Sequence, residues 1–314
     1  MGLQRTISKS ITLKGIGVHF GKPVTMTLHP AAPNEGIYFV RTDLESGIPI
    51  AAHYSNIVDT RLATTLGNNS VQISTVEHLM AALFGLQIDN LRVEVDSPEI
   101  PILDGSAKGF LDAIESVGIE QQVAPKVYLK ILKKIELKAG EKWAIALPSE
   151  DFKITSTIEW DHPAIGYQEF TYQEGFTSFK EVASARTFGF LKDVEALRSK
   201  GLCRGGTLEN AIVLDNAKVL NPEGLRYPNE FVRHKVLDAM GDFKLSGFSL
   251  LGHFRLHRSG HDLHQMLLNQ ILKDKSQYEI ISAATESKST LQHGSHLKGL
   301  GEAISRASQI AASF

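Results

Sequence analysis

Apolar residues recur along this chain with two different periods, and the switch between them marks the predicted elements. Near the start they alternate: Val24, Met26 and Leu28 are separated by Thr25 and Thr27, and Ile37, Phe39 and Arg41 follow the turn signal Asn34-Glu35-Gly36. Period two is that of a strand with one buried face. From Ser74 onward the spacing becomes helical, with Val76, Leu79, Met80, Leu83 and Phe84 on one stripe and Gly85 as the stop. Ser74-Thr75-Val76-Glu77 fits a capping box, with Glu77 at the third helical position. A strand follows at Leu91, Val93 and Val95. After a proline-flanked loop, a second helix carries Phe110, Leu111, Ile114 and Val117 before Gly118.

Residues 121–125 read as a linker, after which the strand pattern restarts with Val127, Leu129 and Ile131 and continues through 143–147 and 154–160. A long helix is predicted over about 230–244, a strand over about 250–256 and a last helix over about 261–272. Both halves therefore close with helix, strand, helix, an architectural repeat without residue identity. The expectation is an α+β fold of two similar two-layer domains, 1–122 and 126–282, facing each other across a site. Residues 191–220 interrupt the second domain as a βαβ-type insertion. It consists of a charged helix at 192–200, a turn at Gly201, Gly205 and Gly206, and an apolar strand from Ala211 to Leu214. The tail, 283–314, is polar at first; Leu297, Leu300, Ile304, Ala307 and Ile310 then have the spacing of an amphipathic helix.

Composition narrows the function. In 314 residues, 33 Lys and Arg face 35 Asp and Glu, a formal charge of -2, so no global field attracts nucleic acid and any anionic ligand must be held by local cations. A single cysteine, Cys203, excludes an intrachain disulfide and a cysteine-rich metal site. No apolar run approaches the roughly 18 residues of a membrane span, and the N-terminus lacks a signal-like stretch. A cytoplasmic protein without stable membrane insertion is expected, and with no coiled-coil seam, a monomer.

The candidate chemistry starts from His234 and Asp238, four apart and on one helix face. Such pairs are common, with roughly 1.3 expected by chance in this composition, and a solvated i,i+4 pair is the bland alternative. The helix of the first half carries Glu77-His78 near its start, so each half offers a histidine. Two histidines and a carboxylate would form a three-ligand set with a fourth position open, as at a catalytic zinc, and an adjacent carboxylate could serve as general base. His261, at a helix start, is a further candidate with Asp242 as its partner. The alternative is an ordinary exposed histidine in a stretch that also holds His253, His257 and His264.

Several segments together resemble one known family. They are Gly15-Ile16-Gly17-Val18-His19, Ser74 through Leu83, Pro101-Ile102-Leu103-Asp104-Gly105-Ser106, Ala185-Arg186-Thr187-Phe188-Gly189-Phe190, Asn221 through Leu225, Phe231 through Asp242, and Ser259-Gly260-His261. In this order they are similar to the UDP-3-O-acyl-N-acetylglucosamine deacetylases of lipid A synthesis. The resemblance implies two α+β domains around a Zn²⁺ ion held by His78, His234 and Asp238. It implies Glu77 as general base, His261 as a cationic acid supported by Asp242, and Thr187 as a donor to the oxyanion. Lys235, Lys142 and Arg258 match positions at the diphosphate of an acylated UDP-sugar, with Lys235 also among the catalytic set. Arg258 stands where lysine is expected, which keeps the charge and changes its geometry. Trp160 matches an aromatic that stacks on uracil, Phe188 a substrate contact, and His19 a residue near the sugar. Val194, Cys203, Gly206, Ala211 and Val213 match the walls of an acyl-chain passage. The likeness ends at about Ser282.

Overall fold

The computed structural model describes residues 2–282 apart from Ser46 and Asn69. The amphipathic helix expected beyond residue 296 lies outside the described residues. The fold is α+β, and none of the described helices is long and apolar enough to cross a membrane.

The alternation read near the N-terminus becomes a five-stranded sheet in the order Ile11–Ile16, Pro23–Pro30, Leu91–Val95, Ile37–Arg41, Ile50–Ala51. All neighbours are antiparallel except Ile37–Arg41, which runs parallel to Leu91–Val95. Val24, Met26, Leu28, Phe39, Val93 and Val95 share one core with Leu79, Met80 and Leu83 of helix α1 (Glu77–Gly85) and Phe110 and Ile114 of α2 (Lys108–Val117). Gly118 ends α2 with a positive φ of 81°, a conformation that glycine adopts without a Cβ penalty.

A seven-stranded sheet is organised around Ser249–His257. That strand pairs with Lys142–Leu147 antiparallel and with Val127–Ile131 and Phe152–Trp160 parallel, while Gly166–Gln173, Ile135–Ala139 and Tyr278–Ser282 extend the sheet. After a single turn, α3 (Lys180–Ala183), a short strand Phe188–Phe190 leads into α4 (Leu191–Ser199) and returns as Ile212–Leu214, parallel to the first. Helix α5 (Glu230–Lys244) is buried all round except at Arg233 and Lys235, as a helix between two layers must be. It packs on α1 and on α6 (His261–Lys273).

Two expectations are corrected. Residues 121–125 are not a linker: they belong to the strand Ile119–Pro125, antiparallel to Leu3–Ile7. Gln122 and Ala124 point inward there, and the Gln122 amide meets Asn90 and the Ala31 carbonyl, so a polar side chain hides a strand period. The capping box does not form either. Helix α1 begins at Glu77 without a side-chain cap, because Ser74 is engaged by the Thr65 hydroxyl and by backbone pairing to Pro98 and Ile100, and Thr75 is left-handed at φ 63°.

The contact that positions the site is α5 against α1. A Cβ added at Gly241 would lie 2.0 Å from the carbonyl oxygen of Glu77. Gly241→Ala should therefore force the helices apart and cost about 1–3 kcal/mol, as overpacking does in cores. Urea unfolding of the variant checks this; unchanged stability would show that the two helices yield freely.

Candidate active site

Helices α1 and α5 bring His78, His234 and Asp238 together although they are distant in sequence. All three are buried, and one ligand atom from each lies within 4.8 Å of the others. Asp238 Oδ1 is 3.2 Å from His234 Nε2 and 3.6 Å from His78 Nε2, and the two rings meet edge-on with centroids 5.0 Å apart. His234 Nδ1 is 3.0 Å from the Ala185 carbonyl, an acceptor, so Nδ1 carries the hydrogen and Nε2 presents its lone pair. Burial drives the His234 pKa down to about 3, so the ring is neutral. A lone pair then faces a carboxylate oxygen at 3.2 Å, and that oxygen has no hydrogen-bond partner. Two acceptors converging without a donor is an arrangement completed by a cation. The donor set of two imidazoles and a carboxylate fits a metal ion.

The remaining oxygen of Asp238 belongs to Lys235, whose Nζ lies 2.9 Å from Oδ2 and 5.6 Å from the Phe188 ring centroid. Burial disfavours both charges. Even so, the Lys235 ammonium holds the Asp238 carboxyl well below its ordinary range, and Asp238 raises Lys235. Lys235 thus pairs with the Asp238 carboxylate.

Beside the triad, Glu77 is buried, and its Oε2 accepts from the Thr64 backbone N–H at 3.0 Å. Burial raises its pKa, which suits a base. Its Oε1 faces His261 Nε2 at 3.8 Å. His261 Nδ1 is bound to Asp242 Oδ2 at 2.7 Å, and Asp242 Oδ1 accepts from the Thr64 hydroxyl at 2.6 Å. Burial alone would lower His261, but Asp242 and then Glu77 outweigh it and raise its pKa to about 10. The dipole at the start of α6, which would discourage a cation, is overcome in the same way.

Glu77, His78, Thr187, Phe188, His234, Lys235, Asp238 and His261 all line one recess of about 300 Å³, together with Thr60, Leu62, Gly260 and Asp262. Thr187 is held there by its N–H on the Gly105 carbonyl at 2.7 Å. Its neighbour Arg186, fully buried, is clamped by Glu230 and Glu223. The other expected residues stand outside this lining. His19 is buried next to Cys203, with ring nitrogen and sulfur 3.9 Å apart. The fully buried Glu99 carboxylate receives the backbone N–H groups of His19 and Phe20 and the Thr75 hydroxyl. Burial lowers His19 and raises Cys203. The segment with Cys203 and Gly206 is tied to the same loop by Arg204 N–H to His19 O and Gly205 N–H to Val18 O. Val194 lies on α4, and Ala211 and Val213 lie at the strand of the insertion. Trp160 meets Phe188 edge-on at 5.6 Å, Lys142 is exposed, and Arg258 pairs with Glu141 at 2.7 Å.

With this geometry in hand, relatives can be compared. Residues 4–273 match the family described as UDP-3-O-acyl N-acetylglycosamine deacetylase. The chain belongs to this family. A protein of Myxococcus xanthus named UDP-3-O-acyl-N-acetylglucosamine deacetylase is 52% identical over 281 residues, which cover 89% of this chain and 90% of its own. One of the same name from Acidithiobacillus ferrooxidans is 50% identical over 284 residues, covering 90% and 93%. Sequence reasoning missed Thr64, Glu99 and His264. For Thr64 no spacing signal existed, since its partners lie 13 and 178 positions away. His264 did carry a signal, three residues after His261 on one helix face.

The raised pKa of His261 yields a pH-dependent stability. Its charge is stabilised in the fold at pH values below the unfolded value of 6.5, and that contribution is lost as pH rises toward about 10. The melting-temperature difference between wild type and His261→Gln should therefore be largest near pH 6 and shrink toward pH 10. Parallel melts across that range check it, and a constant difference would contradict a charged His261.

Proposed function

We propose that the protein is a zinc-dependent deacetylase that hydrolyses the N-acetyl amide of a UDP-3-O-acyl-N-acetylglucosamine, releasing acetate and the free amine for lipid A synthesis. The observation that carries this is the convergence of His78, His234 and Asp238 beside a buried glutamate and a cationic histidine, in a member of a family named for that reaction. A divalent ion such as Zn²⁺ held by these three would supply Lewis acidity and a nucleophilic water near neutral pH.

The chain's own groups then divide the proton work. Glu77 lines the recess with Oε2 tied to Thr64, and its Oε1 takes the proton of the attacking water. The amide carbonyl becomes an oxyanion, to which the Thr187 hydroxyl and the His261 cation donate. His261, with Nδ1 committed to Asp242, presents Nε2–H and passes that proton to the departing amine, which is too basic to leave as an anion. Attack forms a C–O bond, the C–N bond breaks, and the proton accepted by Glu77 balances the one given by His261.

Around this centre we assign substrate recognition as follows. Lys142, Arg258 and Lys235 supply cations for the diphosphate, Trp160 an aromatic face for uracil, Phe188 a wall of the recess, and His19 a contact at the sugar. Val194, Cys203, Gly206, Ala211 and Val213 line a dry passage for the acyl chain within 191–220. Residues 1–122 and 126–282 act as two α+β layers closing on the site. The enzyme works as a cytoplasmic monomer on a small-molecule substrate, binding no nucleic acid and inserting in no membrane.

Metal analysis together with a deacetylase assay tests this. The isolated protein should hold one zinc per chain, lose turnover on chelation and regain it with stoichiometric Zn²⁺. Glu77→Gln should keep the metal and lower kcat by about 10²–10⁴-fold. His234→Ala should lose the metal. Full turnover in verified metal-free protein would refute the proposal.

A further inference from the structure

Asp242 carries more than the one partner that its proposed role requires. Its Oδ2 lies 2.7 Å from His261 Nδ1 and also 2.7 Å from His264 Nδ1, while Oδ1 is taken by the Thr64 hydroxyl at 2.6 Å. His264 is completely buried, lines no part of the recess and cannot touch substrate. Its Nε2 lies 2.9 Å from the Ser259 hydroxyl, and its ring is held edge-on by Phe243 at 5.5 Å. A carboxylate oxygen only accepts, so His264 Nδ1 is the donor in that contact, and Ser259 O–H donates to Nε2. One tautomer satisfies both ends of the ring.

The three groups also have the donor types of a metal set. Both nitrogens, however, sit at hydrogen-bond distance from the same oxygen, and all three atoms are already paired, unlike Asp238 Oδ1 in the His78, His234, Asp238 set.

We propose that His264 is a positioning residue for His261, acting through Asp242. Without His264, Thr64 and His261 would each hold one oxygen of Asp242 through a single bond, leaving the carboxylate room to tilt about its terminal torsion. With Thr64 on one oxygen and two imidazoles on the other, the Asp242 plane is fixed. His261 Nδ1 then has one acceptor in one direction, and its Nε2–H is aimed at the place where the amine departs. The orienting group is the Nδ1–H of His264, and the rest of that ring serves packing. The proposal rests on His261 acting as the acid of the deacetylation above, and the test separates the two.

Asparagine and glutamine distinguish the ring nitrogens, because the amide NH₂ of Asn falls near Nδ1 and that of Gln near Nε2. In the full-length zinc-loaded protein, His264→Asn should keep kcat within about threefold of wild type. His264→Gln should lower kcat about tenfold or more, part of what a general acid contributes, at unchanged KM and zinc content. The proton NMR resonance of His261 Nδ1–H gives a readout independent of turnover: sharp and far downfield in wild type and His264→Asn, broadened or lost in His264→Gln. Equal losses in both variants, a loss in KM alone, or a second metal equivalent that disappears with His264 would overturn the proposal. If His264→Gln does not fold, Ser259→Ala removes the partner of Nε2 and spares Nδ1. It should keep kcat within about threefold, and a tenfold loss would overturn the assignment to Nδ1. Wild-type protein without deacetylase turnover but with the downfield proton behaving as stated would sink the deacetylase and leave the positioning intact.

Discussion

The site depends on two helices meeting backbone to backbone. Where α5 crosses α1, Gly241 leaves no Cβ, and the carbonyl of Glu77 occupies the space that one would fill. At that spacing the first turn of α1, with Glu77 and His78, faces the middle of α5, with His234, Asp238 and Asp242. Side chains as short as aspartate can then reach a common point from two elements, and the rigidity of both helices is passed on to the ligand atoms.

Close approach has an electrostatic consequence. Three buried carboxylates, Glu77, Asp238 and Asp242, share a small volume with two cations, Lys235 and His261. Buried charge is tolerated when it is paired and hydrogen-bonded, and each carboxylate oxygen except one has a donor or a cation facing it. The exception is Asp238 Oδ1, turned toward two imidazole nitrogens. The negative charge left over and the one unsatisfied oxygen coincide, an arrangement compatible with a bound metal ion. The arrangement also separates acid from base. Burial raises Glu77, while for His261 the neighbouring carboxylates, Asp242 first, outweigh burial and raise it to about 10.

A second layer holds these groups in place, and it is mostly backbone. The Ala185 carbonyl orients His234, the Thr64 N–H orients Glu77, and the Gly105 carbonyl holds the Thr187 N–H. Arg186, between Ala185 and Thr187, is pinned by Glu230 at the start of the same helix that bears His234. A displacement of that helix would move His234, the Ala185 carbonyl that orients it and Thr187 together.

The amino-acid sequence determined a good deal by itself. Helical spacing delimited α5 and α6 nearly to the residue, and Gly118 marked the end of α2. The i,i+4 placement of His234 and Asp238, and Glu77 next to His78, were legible for the same reason: on a regular element, distance along the chain is distance in space. Tertiary structure decided what local pattern cannot encode. It turned 121–125 from a linker into a strand by giving Gln122 buried partners, and it took Ser74 away from the helix cap. It put both imidazoles, His261 and His264, on the same oxygen of Asp242, and it made Thr64 the link between Glu77 and Asp242. Those contacts join residues far apart along the chain, and only the packing of one helix on another sets their distances.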